Sequence, residues 1–267
     1  MRRHDFLREL HRLLDPRTYL EIGVNDGKSL TLSRCPSIGI DPAFKVTAQL
    51  RCDVQLVRAT SDDFFARPDP IRHLRSSRNP LRNLRRGRPL FGHYLGGTTL
   101  DLAFIDGMHL SEFALRDFMN VERFSRWSSV IVFDDMLPRN VAEAARVQIP
   151  GDWAGDVFKV IPVLRESRPD LEICLVDTEP TGVAVVFGAD PRSTVLADAY
   201  DRIRGRLEVP DPQDVPDEVL RRDGALDPEA FLASPVWSSI RRAGRRGRGR
   251  EAGMRRIREA VAAVPTR

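Results

Sequence analysis

A glycine-punctuated turn between an apolar run and a potential helix narrows the fold of this chain more than any other stretch. Tyr19-Leu20-Glu21-Ile22 stops at Gly23, a second glycine follows at Gly27, and Lys28-Ser29-Leu30-Thr31-Leu32 can continue as a helix. Strand, glycine turn and helix, in that order, let a backbone approach a nucleotide-like ligand closely. Glycine leaves space where a Cβ would collide, and it permits positive φ. Asp41 closes the next apolar run, Ser37-Ile38-Gly39-Ile40, 18 positions past Gly23. An acid about 20 residues on, at the end of a second strand, is placed to accept hydrogen bonds from ribose hydroxyls. The spacing is Gly-x-x-x-Gly rather than Gly-x-Gly-x-x-Gly, so taken alone it also suits a plain turn in any α/β protein.

Elsewhere helical and strand patterns alternate. Residues 3–14 read as a helix, with Phe6, Leu10 and Leu13 on one face, ended by Asp15-Pro16. Strands are expected at 18–24, 37–41, 55–60, 100–106, 128–133, 171–177 and 182–188. Helices are expected at 26–34, 43–50, 110–124 and 193–206, with another opened by Asp156 and a further one begun at Ser61, read as an N-cap. The last two strands are joined only by Thr178-Glu179-Pro180-Thr181, which favours an antiparallel pair. Together these predict a doubly wound, mostly parallel, seven-stranded Rossmann-like α/β sheet with one antiparallel strand near its edge.

The 267 residues, 42% hydrophobic, fit one large domain over residues 1–209 with appendages. Residues 66–98 read as an arginine- and proline-rich loop insertion, either solvated or a clamp for an anionic substrate. Residues 210–217 form a proline-rich linker, and 218–267 a basic tail, expected to be helical in pieces, mobile, and a place where a second subunit could pack. The net charge of +4 comes almost wholly from arginine, with lysine only at 28, 45 and 159, which weakens the inference to an anionic partner. Stacking aromatics in the basic insertion are limited to Phe91 and Tyr94, so nucleic acid is not the expected partner. There is no apolar run of about 18 residues and no secretory h-region. Cys35, Cys52 and Cys174 lack metal-type spacing and read as reduced thiols, in keeping with a cytoplasmic protein.

Asp106 ends one apolar run, and Asp134 and Asp135 end the next, 28 residues on. One strand-helix-strand unit separates them, so both strand ends reach the same edge of the sheet. Three converging carboxylates repel one another unless a cation lies between them, and an oxygen-rich set suits Mg²⁺. The alternative for any one of them is helix capping. His109, three residues past Asp106 and after the turn-permitting Gly107, faces the same cleft, where an imidazole can take a proton from a substrate hydroxyl.

These segments, Tyr-Leu-Glu-Ile-Gly-Val-Asn-Asp-Gly-Lys-Ser, Gly-Ile-Asp-Pro, Thr-Ser-Asp-Asp-Phe-Phe, Asp-Leu-Ala-Phe-Ile-Asp-Gly-Met-His and Val-Ile-Val-Phe-Asp-Asp, resemble those of class I S-adenosylmethionine-dependent methyltransferases. Within that class they are similar to the metal-dependent macrolide-sugar O-methyltransferases and to bacterial relatives associated with polysaccharide synthesis, over about residues 17–188. The resemblance implies that Glu21, Gly23 and Gly27 line the methionine and ribose end of the cofactor, with Val24, Asn25 and Ser29 beside them. It also implies that Asp41 holds the ribose and that Ser61 and Asp62 lie near the adenine. It further implies Mg²⁺ on Asp106, Asp134 and Asp135, His109 as base, and a small-molecule or glycan acceptor. Two other readings are RNA or protein methylation through the basic insertion, and a non-catalytic cofactor-binding partner in a glycan-synthesis assembly.

Overall fold

The computed structural model describes residues 1–75, 81, 99–148, 150, 153–246 and 249–266. Most of the arginine-rich stretch 66–98 lies outside them. Seven strands form one sheet: β1 (Tyr19–Ile22), β2 (Ser37–Ile40), β3 (Val54–Val57), β4 (Leu102–Ile105), β5 (Val130–Phe133), β6 (Glu172–Val176) and β7 (Val183–Phe187), in the order β3-β2-β1-β4-β5-β7-β6. All neighbours are parallel except those of β7, which runs antiparallel to both β5 and β6.

The sheet is buried on both faces, and side-chain alternation divides it into two cores. Leu20, Ile22, Ala103, Ile105, Ile131 and Phe133 face α3 (Ser111–Glu122), α4 (Val160–Ser167) and α5 (Val195–Leu207), with α2 (Ser61–Phe65) at the rim. Tyr19, Leu102, Phe104, Val130 and Val132 face the opposite way, toward α1 (Arg3–Leu14).

That second face is completed by the C-terminal segment, contrary to the expectation of a mobile tail. After α6 (Asp217–Leu220) come α7 (Pro228–Ala233), α8 (Val236–Arg246) and α9 (Arg250–Ala262). Phe231, Trp237, Met254 and Ile257 are buried with the side chains of α1 and β7. The Trp237 indole N–H donates to the Phe231 carbonyl at 2.8 Å, which satisfies the one polar group this large ring carries inward. The stretch 210–217 is also pinned, because the Asp211 carboxylate accepts the backbone N–H groups of Arg146 and Val147.

Two expected helices are absent. Between Gly27 and Pro36 there is only a 3₁₀ turn, Leu30–Leu32. Residues 43–50 run irregularly along the glycine turn, with Lys45 N–H bonded to Asn25 O and Thr47 N–H to Asp26 O. At α2 the cap is Thr60, one residue before the expected Ser61, and its side chain accepts from Asp63 N–H. Among the described residues no helix is long and apolar enough to cross a membrane. Cys35, Cys52 and Cys174 are free thiols.

Candidate active site at the strand ends

The backbone ladder continues one residue beyond several strands. Gly23 N–H bonds to Ile40 O, Asp41 N–H to Val57 O, Asp106 N–H to Ile22 O, and Asp134 N–H to Ile105 O, all at 2.8–3.1 Å. Gly23, Asp41, Asp106 and Asp134 therefore stand in one row at the carboxyl edge of the sheet, where open α/β sheets bind ligands. A cavity of about 720 Å³ opens there, a size typical of small-molecule sites. Gly23, Asn25, Asp41, Ser61 and Asp62 line one part of it, and Asp106, His109 and Asp135 another.

Four residues expected against the cofactor do not line this cavity: Glu21, Val24, Gly27 and Ser29. Alternation turns Glu21 to the α1 face, where it is fully buried and accepts hydrogen bonds from Tyr19 Oη at 2.7 Å and Ser29 Oγ at 2.6 Å. Burial pushes its carboxyl up to about 8, against the pull of those two hydroxyls. Ser29 is thus used inward. Val24 is buried in the second core, and Gly27, at φ +80°, leaves room for Val46. These residues build the turn from behind. Asp41 also has a building task, accepting the backbone N–H groups of Asn25 at 2.8 Å and Ala43 at 2.6 Å. A carboxylate has about four acceptor sites, so others remain for a ligand.

Asp106, His109 and Asp135 come together, each offering a ligand atom within 4.8 Å of the other two. His109 Nε2 lies 3.4 Å from Asp106 Oδ1, and Nδ1 lies 3.3 Å from Asp135 Oδ2. Nδ1 is also 2.9 Å from the Trp153 carbonyl, which can only accept, so Nδ1 carries a proton. The imidazole stacks on the Trp153 indole with ring centroids 5.0 Å apart. Burial alone would depress the His109 pKa; the hydrogen bond to Asp106 and the charges of Asp135 and Asp106 outweigh it and push it up to about 9. Burial and the Asp106 charge push Asp135 up to about 6.

The segment 153–156 clasps the histidine turn at three points. Trp153 O meets the ring. Gly155, at φ +66°, sits so close to the His109 carbonyl that a Cβ would stand 1.7 Å from that oxygen. Asp156 Oδ1 accepts Ser111 N–H at 2.8 Å, so this acid caps α3 rather than the helix that follows it. Asp135 is held in the left-handed region at φ +61°, and its carboxylate accepts the Thr181 hydroxyl from the β6–β7 turn.

Asp134 lies outside this group. Its position continues the face of Val130 and Val132, toward α1, and there it is ion-paired with Arg3. The expected set of three carboxylates is thereby replaced by two carboxylates and an imidazole. Arg3, Trp153, Gly155 and Thr181 carried no sequence signal. Asp117 did: it sits between Ala114 and Val121 on the apolar stripe of α3. It is buried on the cavity wall, and burial, eased by a hydrogen bond from Ser61, pushes it up to about 7.

Residues 20–136, which span the glycine turn, the histidine and both acids, match the model of a family described as a methyltransferase domain. The matched stretch covers β1 to the end of β5 of the Rossmann-like, mostly parallel sheet described above. Similar solved structures include the O-methyltransferase TomG from Streptomyces achromogenes in complex with SAM, 16% identical, covering 70% of this chain and 79% of that one, TM-score 0.46. An O-methyltransferase from Bacillus cereus in complex with SAH is 14% identical, covering 69% and 80%, TM-score 0.44. The SAH-bound methyltransferase PaMTH1 from Podospora anserina is 16% identical, covering 70% and 78%, TM-score 0.45. No curated protein matches.

Proposed function

We propose that this chain methylates a hydroxyl group of a polar, sugar-like acceptor with the assistance of a divalent cation. The observation that carries the reading is the meeting of Asp106, His109 and Asp135 on the wall of the cavity that Gly23 and Asp41 also line. The donor set fits a cation: two hard carboxylates and an imidazole gathered on one side, open to the cavity, suit Mg²⁺ or Mn²⁺. Asp106 and Asp135 would hold it, and when bound it lowers the acidity barrier of a coordinated hydroxyl. Asp41, Ser61 and Asp62, on the cavity wall, would hold the ribose and base of S-adenosylmethionine.

His109 takes the proton. Its Nδ1–H is tied to Trp153, so Nε2 is the nitrogen that receives the hydroxyl hydrogen. S-adenosylmethionine, when bound, would supply the electrophilic methyl group and a neutral thioether leaving group, and His109 Nε2 would take up the hydroxyl proton. The protein otherwise positions the partners and excludes water. A second cavity of about 780 Å³ shares Arg3 with the first. Its wall, with Arg139, Asp177, Glu179, Arg222 and Glu229, offers charged donors and acceptors to a hydroxyl-rich acceptor.

The test is methyl transfer from S-adenosylmethionine to a panel of mono- and oligosaccharides, read by mass. Activity should vanish in EDTA and return with Mg²⁺ or Mn²⁺. His109→Ala and Asp106→Asn should each lower kcat by about 10²-fold or more while S-adenosylhomocysteine still binds. Undiminished turnover in EDTA, or in the His109 variant, would refute the mechanism.

A further inference from the structure

The acids at the site are divided between Arg3 and His109. Arg3 is the first residue of α1. Its Nη1 is ion-paired with Asp134 and lies 3.6 Å from Asp106 Oδ2. The Asp134 side chain is 2% exposed, so its charge requires a partner. Asp106 faces two ways: Oδ2 toward Arg3 and Oδ1 toward His109 Nε2.

Arg3 is fixed at this spot by its backbone. Its N–H bonds to Glu179 O at 3.0 Å, and Glu179 N–H bonds back to Met1 O at 2.9 Å, which ties the start of α1 to the β6–β7 turn. The same turn supplies Thr181 to Asp135. One hairpin thus anchors both the arginine that engages Asp134 and the hydroxyl that orients Asp135. Consecutive carboxylates are sent in opposite directions, one to an internal cation and one to the cavity.

We propose that Arg3 is a positioning residue that sets the strength of the divalent-cation site. It withdraws Asp134 from the ligand set, so that the cation would be held by Asp106 and Asp135 beside His109, and more weakly than with Asp134 as a third carboxylate. The inference rests on the cation reading above and concerns which acids are free to serve it.

The test is direct titration with Mn²⁺, following free Mn²⁺ by electron paramagnetic resonance, on the full chain without acceptor. Arg3→Gln removes a positive charge and releases Asp134; it should tighten Mn²⁺ binding at least tenfold. Arg3→Lys keeps the charge and should stay within about threefold of the parent protein. Adding Asp134→Asn to Arg3→Gln should abolish the gain. Should the glutamine variant fail to fold, Arg3→Met, which keeps the aliphatic stem, should give the same tightening. Unchanged or weaker Mn²⁺ binding in the folded neutral variant, with binding intact in the parent, would overturn the role of Arg3 and leave the cation reading standing. A gain that persists in the double variant would equally overturn it, since Asp134 would not be the released group. No Mn²⁺ binding by any of these proteins would overturn both.

Discussion

Gly23 lies directly against the backbone carbonyl of Asp106: a Cβ at position 23 would stand 1.6 Å from that oxygen. The glycine that reads as a space for a ligand is required first by the neighbouring strand. At φ +89° it also occupies backbone space that other residues enter only with strain. Gly23→Ala should therefore destabilise the fold by about 2–5 kcal/mol and displace the turn that carries both Asp106 and His109. Urea unfolding and S-adenosylhomocysteine titration check this. A variant with parental stability would mean that the two strand ends are further apart than described.

Glu21 makes stability depend on pH in a direction opposite to that of an ordinary ion-paired acid. Its carboxyl, pushed up to about 8 by burial, keeps its proton in the fold above the pH at which the unfolded chain loses it. Raising the pH from about 4.5 therefore favours the unfolded chain, and the penalty is complete above about 8. Glu21→Gln keeps one acceptor oxygen for one of the Tyr19 and Ser29 hydroxyls, donates its amide N–H to the other, and has no proton to lose. It should match the parent near pH 5 and exceed it at pH 9, measured as urea midpoints across that range. Equal slopes for the two proteins would place a charged glutamate in the core.

His109 is the group whose ionisation the proposed chemistry needs to change. In chelator-treated protein its imidazole should titrate near 9 rather than 6.5, because Asp106 and Asp135 hold the proton on it. The folded value lies above the unfolded one, so this pairing stabilises the fold fully below about pH 6.5 and is lost as pH rises through about 9. Mg²⁺ should displace the proton and move the titration downward. Histidine NMR resonances followed from pH 5 to 10, with and without Mg²⁺, report both values. An apparent pKa at or below 6.5 without metal would contradict the described surroundings.

The C-terminal helices are structural members of the domain. Trp237 is buried against Phe231, with ring centroids 4.9 Å apart. Trp237→Ala should cost about 3–5 kcal/mol, the range for large-to-small changes in a packed core. A loss below 1 kcal/mol in chemical denaturation would show that the segment docks only loosely.

Much of this could be read from residue order, and the exceptions have physical causes. The strands were legible because continuous apolar runs ended at glycine or acid mark a sheet buried on both sides. The expected helix at 26–34 fails because Asn25 and Gly27 take positive φ and Ser29 turns back to Glu21, which leaves too few residues before Pro36 for more than a 3₁₀ turn. The segment 43–50 had a helical composition, yet the N–H groups of Lys45 and Thr47 are spent on the glycine turn. Around the C terminus the arginine run concealed a clear stripe: Phe231, Val236, Trp237 and Ile240 followed by Met254 and Ile257.

At the site, the spacing of Asp106, His109 and the acidic pair was visible. The division of that pair was not, because it depends on α1 packing across the sheet. Its root was present in the alternation of Val130, Val132 and Asp134, which commits the last of these to the helix side.

The reversal of β7 has a consequence for how such a centre can change. Since this strand runs against its neighbours, a hairpin arrives at the carboxyl edge where every parallel strand only departs. Thr181 meets Asp135 there, and Leu137 N–H bonds to Thr181 O at 2.6 Å. Lengthening or shortening this six-residue connection, residues 177–182, would re-aim one acid and shift the start of α1, yet leave the bed around Gly23 and Asp41 untouched. The inverted strand thus leaves the glycine turn with Asp41 on one flank, and the charged cluster on the other, on pieces of chain that can vary independently.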